Sequence, residues 1–154
     1  TIIDHKTAAL FRAAMCSGAH SVNASDEDVE RVRAYATHLG LAFQIRDDIL
    51  DYSHETAVGK PTGQDIREGK ITLPLIGAFR NADSGESQRM LEAIKEGRYE
   101  GVEDFVARCR GNEYAQKALE DETAKAIDAI AGFRNEGARQ LLEDLALLLC
   151  FRAK

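Results

Sequence analysis

The chain is poor in the residues that staple, kink or anchor a fold. Three cysteines in 154 residues, Cys16, Cys109 and Cys150, lie far apart with no CxxC pair, so neither a zinc knuckle nor a disulfide framework is suggested. A reducing, cytoplasmic setting is therefore expected. No apolar run approaches the roughly 18 residues that a membrane helix needs; Leu145 to Phe151 is the longest. A basic excess is also missing. The net charge is -6 and evenly spread, a poor match to a nucleic-acid backbone. No signal-peptide pattern opens the sequence, and no Walker G-x-x-x-x-G-K-[ST] spacing occurs in it. The length is a prior for one domain. The first residue is not Met, and the apolar pattern already runs at Ile2, so the expectation is a chain whose beginning lies elsewhere.

Proline is confined to Pro61 and Pro74, and almost everything outside that interval reads as helix. Ala8, Phe11, Met15 and Ala19 make one stripe at i+3 and i+4 steps, with Gly18 as the expected stop. Ser25 and Asp28 resemble a capping box, from which Val29, Val32, Ala36, Leu39 and Phe43 carry a stripe to about residue 51. Residues 52–69 change character and predict a long loop; Pro74 suits the first turn of the next helix, ending near Asn81. Ser84 to Glu96 with Gly97 as stop, Tyr99 to Arg110 ended by Gly111, Glu113 to Gly132 and Ala138 to Arg152 complete about seven helices. No strand alternation or internal repeat is visible. The expected class is all-α, and a loop of that length inside a helical chain points to function.

On a helical wheel, Gln44, Asp47, Asp48 and Asp51 share an arc about 100° wide. Asp47 and Asp51 continue the stripe of Ala36, Leu39 and Phe43, which predicts inward-pointing carboxylates. Three clustered anions lose hydration at several kcal/mol per ion, roughly, unless compensated. A hard divalent cation compensates well, because magnesium takes oxygen ligands, keeps waters and completes its shell with substrate phosphates. The plainer alternative is a solvated acidic face with Arg46 or Lys60 as ion-pair partner. Downstream, Gly59, Lys60, Gly63, Asp65, Gly69 and Lys70 form a loop in which glycines admit a ligand to the backbone and lysines suit phosphate oxygens. Such a loop alone fits a flexible surface segment equally well. Next to an acidic cluster it fits metal and diphosphate.

These residues carry a family resemblance. Phe43-Gln44-Ile45-Arg46-Asp47-Asp48-Ile49-Leu50-Asp51, Gly59-Lys60, Gly63-x-Asp65 and Gly69-Lys70-x-Thr72-Leu73-Pro74 together resemble the second aspartate-rich region of trans-polyprenyl diphosphate synthases. Lys6-Thr7-Ala8-x-Leu10 resembles the family's K-T-x-x-L helix, and Phe151 to Lys154 its basic C-terminus. The Leu73-Pro74 pair and the loop look more like long-chain bacterial members, octaprenyl or heptaprenyl synthases. The resemblance implies an all-α isoprenoid-synthase bundle and a magnesium-dependent transferase that condenses isopentenyl diphosphate with an allylic diphosphate. It places Mg2+ on Asp47, Asp48 and Asp51. Diphosphate oxygens fall to Lys6, Lys60 and Lys70. Thr7 and Gln44, with Lys6, belong near the reacting allylic group, and Asp65 orders the loop.

The first aspartate-rich region and the isopentenyl diphosphate clamp have no counterpart in residues 1–154. Ser25-Asp26-Glu27-Asp28 reads better as a cap. The chain thus resembles the C-terminal part of a synthase helical domain, either completed by a missing N-terminal half or working as a homodimer, and inactive alone. A non-catalytic small subunit or helical interaction module is the alternative. Membrane contact is expected only through a long product. His5, His20, His38 and His54 lack metal-ligand spacing; the Leu141, Leu142, Leu145, Leu148, Leu149 face reads as core, or in part as a cover for a missing half or a dimer partner; Tyr52 is left as either packing aromatic or ligand-side residue.

Overall fold

The computed structural model describes residues 7–52 and 64–151, and among them all regular structure is helical. Eight helices follow in order: α1 (Ala9–Ser21), α2 (Asp26–Asp51), α3 (Gln64–Arg67), α4 (Leu73–Asn81), α5 (Ser84–Lys95), α6 (Val102–Arg108), α7 (Gly111–Ile130) and α8 (Glu136–Phe151). The all-α expectation is borne out, with one helix more than the stripes suggested. The extra one, α3, is a single turn inside the expected 52–69 loop, too short to show a periodicity. No helix among the described residues is long and apolar enough to cross a membrane.

Helix ends follow local chemistry. Ser25 accepts the Asp28 N–H at 3.2 Å and donates its hydroxyl to the Asp28 carboxylate at 2.9 Å, the expected start of α2. Asp83 caps α5 through the Glu86 N–H at 2.8 Å. Two glycines act otherwise than their spacing suggests. Gly18 lies within α1, which runs on to Ser21. Gly111 opens α7 and does not end α6; the reversal falls on Arg110, at φ 54°. Gly111 is needed for a different reason: a Cβ there would lie 2.2 Å from the Pro74 carbonyl oxygen, so the start of α7 meets α4 backbone to backbone.

By its own contacts the chain divides into two compact units, residues 1–44 with 118–154, and residues 45–117. In the first, the buried positions of α2 include Val29, Tyr35, Ala36, Leu39 and Ala42, while Leu119, Ala126 and Ile130 are the buried apolar residues of α7. The Tyr35 hydroxyl donates to the Leu142 carbonyl of α8 at 2.7 Å, and His38 Nδ1 meets Glu122 Oε2 at 2.7 Å. Phe43 leaves the buried stripe: it is 36% exposed and packs its ring on Phe11 of α1, centroids 5.8 Å apart. Of the Leu141, Leu142, Leu145, Leu148, Leu149 face, Leu141, Leu145 and Leu148 are exposed, while Leu142 and Leu149 are partly buried.

The second unit is built around Leu75 and Ala78 of α4 and Val102, Phe105 and Val106 of α6, all fully buried. Burying one such Phe or Leu side chain stabilises the fold by roughly 1.5–3 kcal/mol. Phe79 packs on Phe105 at 5.1 Å between centroids. Tyr52, at the end of α2, and Ile66 of α3 belong to the same core, which fastens the aspartate-bearing turn and α3 to one scaffold.

Candidate functional site

The last turn of α2 presents its carboxylates in three different settings. Asp47 is exposed, Asp51 is partly buried and Asp48 is 3% exposed. The inward arc of α2 therefore runs through Ala42, Ile45, Asp48 and Tyr52, not through Phe43, Asp47 and Asp51 as the stripe predicted. The spacing between the acids is as read; the rotation of the buried face is about one residue, or roughly 100°, different.

Burial gives Asp48 a backbone partner. Its Oδ2 accepts the Leu73 N–H at 3.5 Å, at the first residue of α4. That N–H is one of the orphan donors of a helix start, and a carboxylate there also meets the positive end of the helix dipole. Thr72, in the N-cap position, makes no capping bond with its own side chain. It is buried, and its hydroxyl points to the Tyr52 phenol at 3.5 Å. Asp51 repeats the arrangement on α3, where its Oδ2 accepts the Asp65 N–H at 3.1 Å. Asp48, Asp51 and Tyr52 thus each hold the start of a helix that follows the glycine-rich segment.

Asp65 in turn binds Lys70, whose ammonium lies 2.8 Å from Asp65 Oδ1 and 2.7 Å from Glu68 Oε2. The turn between them closes through Gly69, at φ +74°, with the Lys70 N–H donating to the Asp65 carbonyl at 2.9 Å. Hydrogen bonds to Asp65 and Glu68 push the lysine's pKa above its usual value, so it is a permanent cation. Burial raises the Tyr52 phenol; the bond to Thr72 opposes this, and the negative charges of Asp51, Asp65 and Asp48 add to it. Tyr52 therefore keeps its proton at neutral pH.

In the first unit, Thr7 Oγ1 donates to Gln44 Oε1 at 2.9 Å, linking the start of the chain's described part to α2. Lys6 and Lys60 lie outside the described residues. Among the described residues, no three His, Cys, Asp or Glu side chains gather closely enough to form a ready metal cage. The reason is the division of labour on α2: Asp48 turns inward to the backbone of α4 while Asp47 faces out. Thr72 and Tyr52 are the members that sequence reasoning missed or left open. The usable signals were a Tyr one turn after an Asp and a Thr standing at a helix start before Leu-Pro.

The polyprenyl synthetase family model matches residues 1–109. The octaprenyl diphosphate synthase of Haemophilus influenzae is 36% identical over 152 residues, covering 96% of this chain and 46% of that protein. A short chain isoprenyl diphosphate synthase of Methanocaldococcus jannaschii is also 36% identical, over 94% of this chain and 45% of its own length. Among solved structures, a decaprenyl diphosphate synthase from Rhodobacter capsulatus superposes with a TM-score of 0.87 at 35% identity, over 99% of this chain and 49% of that one. A polyprenyl synthase from Caulobacter crescentus, complexed with calcium and isoprenyl diphosphate, gives 0.86 at 36% identity over 99% and 48%. The chain spans about half the length of the curated relatives it matches, and it belongs to the polyprenyl synthetase family.

Proposed function

We propose that residues 1–154 are the C-terminal part of a polyprenyl diphosphate synthase helical domain and supply the diphosphate-holding side of a prenyl transfer. The observation that carries this is the aspartate turn of α2 with α3, α4 and Lys70 fastened to it, in a chain of this family. The donor set fits magnesium chemically. All candidates are hard carboxylate oxygens, and magnesium is commonly held by one or two carboxylates plus water and substrate phosphate. Asp47 and Asp51, one turn apart, would hold the ion, with Asp48 anchoring the turn beneath them. A relative solved in complex with calcium and isoprenyl diphosphate supports a divalent cation and a diphosphate as the ligands of this reading. When bound, the cation neutralises the departing diphosphate of an allylic substrate. Isopentenyl diphosphate is then the second substrate.

The chain's own residues divide the remaining work. Lys70 is a fixed positive charge for diphosphate oxygens, held in reserve on Asp65 and Glu68. Lys6 and Lys60 take the same role by resemblance. For Thr7 and Gln44 the resemblance carries the proposal that their oxygens stand near the developing positive charge of the allylic group. Condensation also needs the two substrates within about 3–3.5 Å of each other, a positioning that contributes roughly 7–11 kcal/mol. Residues 1–154 hold one aspartate-rich turn, so turnover by this chain alone is not expected.

Calorimetry with magnesium and inorganic pyrophosphate tests the binding half. Each ligand removes charge that repels the other, so each is expected to raise the other's affinity by roughly 5- to 150-fold. Asp47→Ala abolishes that coupling while leaving the melting temperature in place, because Asp47 is exposed. In the full-length protein the same substitution lowers incorporation of labelled isopentenyl diphosphate by about 100-fold or more. Unchanged coupling and unchanged turnover per folded molecule would overturn the reading.

A further inference from the structure

The end of α2 and the start of α4 meet through two bonds, and one of them is unexpected. A threonine at an N-cap ordinarily turns its hydroxyl onto the N–H of the second or third residue of its own helix. Thr72 does not; its hydroxyl lies 3.5 Å from the Tyr52 phenol, and both side chains are buried, at 7% and 5% exposure. The capping duty passes to Asp48, which reaches across from α2 to the Leu73 N–H. Thr72 therefore gives up a local bond for a long-range one. The neighbouring backbone makes the consequence definite, since Lys70 stands two residues before Thr72 and is turned back onto Asp65 by the Gly69 bend. Asp65 is itself fixed to Asp51. The segment from Asp65 to Leu73 is thus held on the aspartate turn at both ends, by Asp51 at one and by Tyr52 with Asp48 at the other.

We infer that Tyr52 and Thr72 are positioning residues: their buried hydroxyl pair clamps the start of α4 to the aspartate turn and so sets where the Lys70 ammonium stands relative to a bound diphosphate. This rests on the proposed diphosphate site and adds to it two side chains that would touch neither diphosphate nor metal. A phenol is suited to the task. It is long enough to cross from one helix to the other.

The test is pyrophosphate binding in the presence of magnesium, by calorimetry, on Tyr52→Phe, Thr72→Val, the double variant and Thr72→Ser, with Asp47→Ala alongside. Loss of one buried neutral hydrogen bond corresponds to about a three- to tenfold loss of affinity if the bond positions the lysine. Tyr52→Phe and Thr72→Val should each show that loss, and the double variant should be no weaker than the weaker single, because both remove the same bond. Thr72→Ser, which keeps the hydroxyl, should restore affinity to within about twofold. A purely structural pair would lower the melting temperature and leave the affinity of the folded protein unchanged; that result overturns the inference. So does a double variant whose loss is the product of the two singles. If Tyr52→Phe fails to fold, the comparison of Thr72→Val with Thr72→Ser decides alone. If Asp47→Ala also leaves affinity untouched, the diphosphate reading itself falls; if Asp47→Ala abolishes binding and the hydroxyl variants do nothing, only the clamp falls.

Discussion

Two adjacent aspartates with opposite surroundings make a sharp test of how the site is built. Asp48 is 3% exposed and takes the first N–H of α4, while its neighbour Asp47 is exposed. Replacing Asp48 by Ala strips a charge-assisted bond, a class worth about 1.5–3 kcal/mol, and leaves a part-buried helix-start N–H without that acceptor. Loss of the favourable helix-dipole contact adds about 0.3–1 kcal/mol. Two effects pull the other way. The bond is long, at 3.5 Å, and removing the carboxylate relieves the cost of keeping a charge out of water. The balance is a loss of about 1–2 kcal/mol, where Asp47→Ala stays within about 0.5 kcal/mol of the parent. Urea unfolding followed by circular dichroism measures both, with slopes compared so that a change in midpoint reports stability and not compactness. Asp48→Asn, which keeps an acceptor oxygen, should recover more than half of the loss. Equal midpoints for Asp47→Ala and Asp48→Ala would refute the assignment of Asp48 as the anchor of α4.

Two glycines should respond to alanine with opposite signs: Gly111→Ala drives a methyl to 2.2 Å from the Pro74 oxygen and should lower stability by about 1–3 kcal/mol, while Gly18→Ala meets nothing within 4 Å inside a helix and should raise it by about 0.5–1 kcal/mol, both read as melting temperatures. Burial, with a smaller contribution from Cys150, raises the Tyr35 phenol to about 12 from an ordinary 10.0. A raised acid keeps its proton longer in the folded state, so its contribution is complete below pH 10.0 and is lost as pH climbs towards about 12, an effect of order 2 kcal/mol that Tyr35→Phe should remove from the alkaline unfolding profile.

Much of the fold was legible because a helix announces itself by period. The extents of α2 and α4, the Ser25 start and the Pro74 first turn follow from spacing that no tertiary contact needs to correct. The position of zero on the wheel is another matter. Ala36 and Leu39 are buried as expected, yet the next buried residue is Ala42, because Phe43 finds Phe11 on a neighbouring helix and stays partly exposed. One such choice rotates every later assignment, which is why Asp47 and Asp51 were expected to continue the inward stripe. Gly111 shows the same kind of limit. Its glycine is required by the closeness of the Pro74 backbone, a contact 37 positions away in sequence (111 minus 74), and local spacing reads it as a stop. The acids, the lysine and Asp65 were recognisable by residue type and order. Their mutual bonds, and the Tyr52 to Thr72 pair, depend on how α4 returns to α2.

The division of the chain into residues 45–117 and a unit that joins 1–44 to 118–154 bears on the order in which the molecule is made. The first of these is a continuous stretch and holds its core, Leu75, Val102 and Phe105, within its own bounds. The other begins with α1 and α2 but waits for α7 and α8; its Tyr35 to Leu142 bond spans 107 residues. During synthesis, contacts inside 45–117 are available while the Leu142 partner of Tyr35 has not yet left the ribosome. Closing so long a loop also costs entropy that only the arriving helices repay. Within residues 1–154, the aspartate turn and its lysine segment therefore belong to the unit whose own core is complete first, before α7 and α8 complete the other.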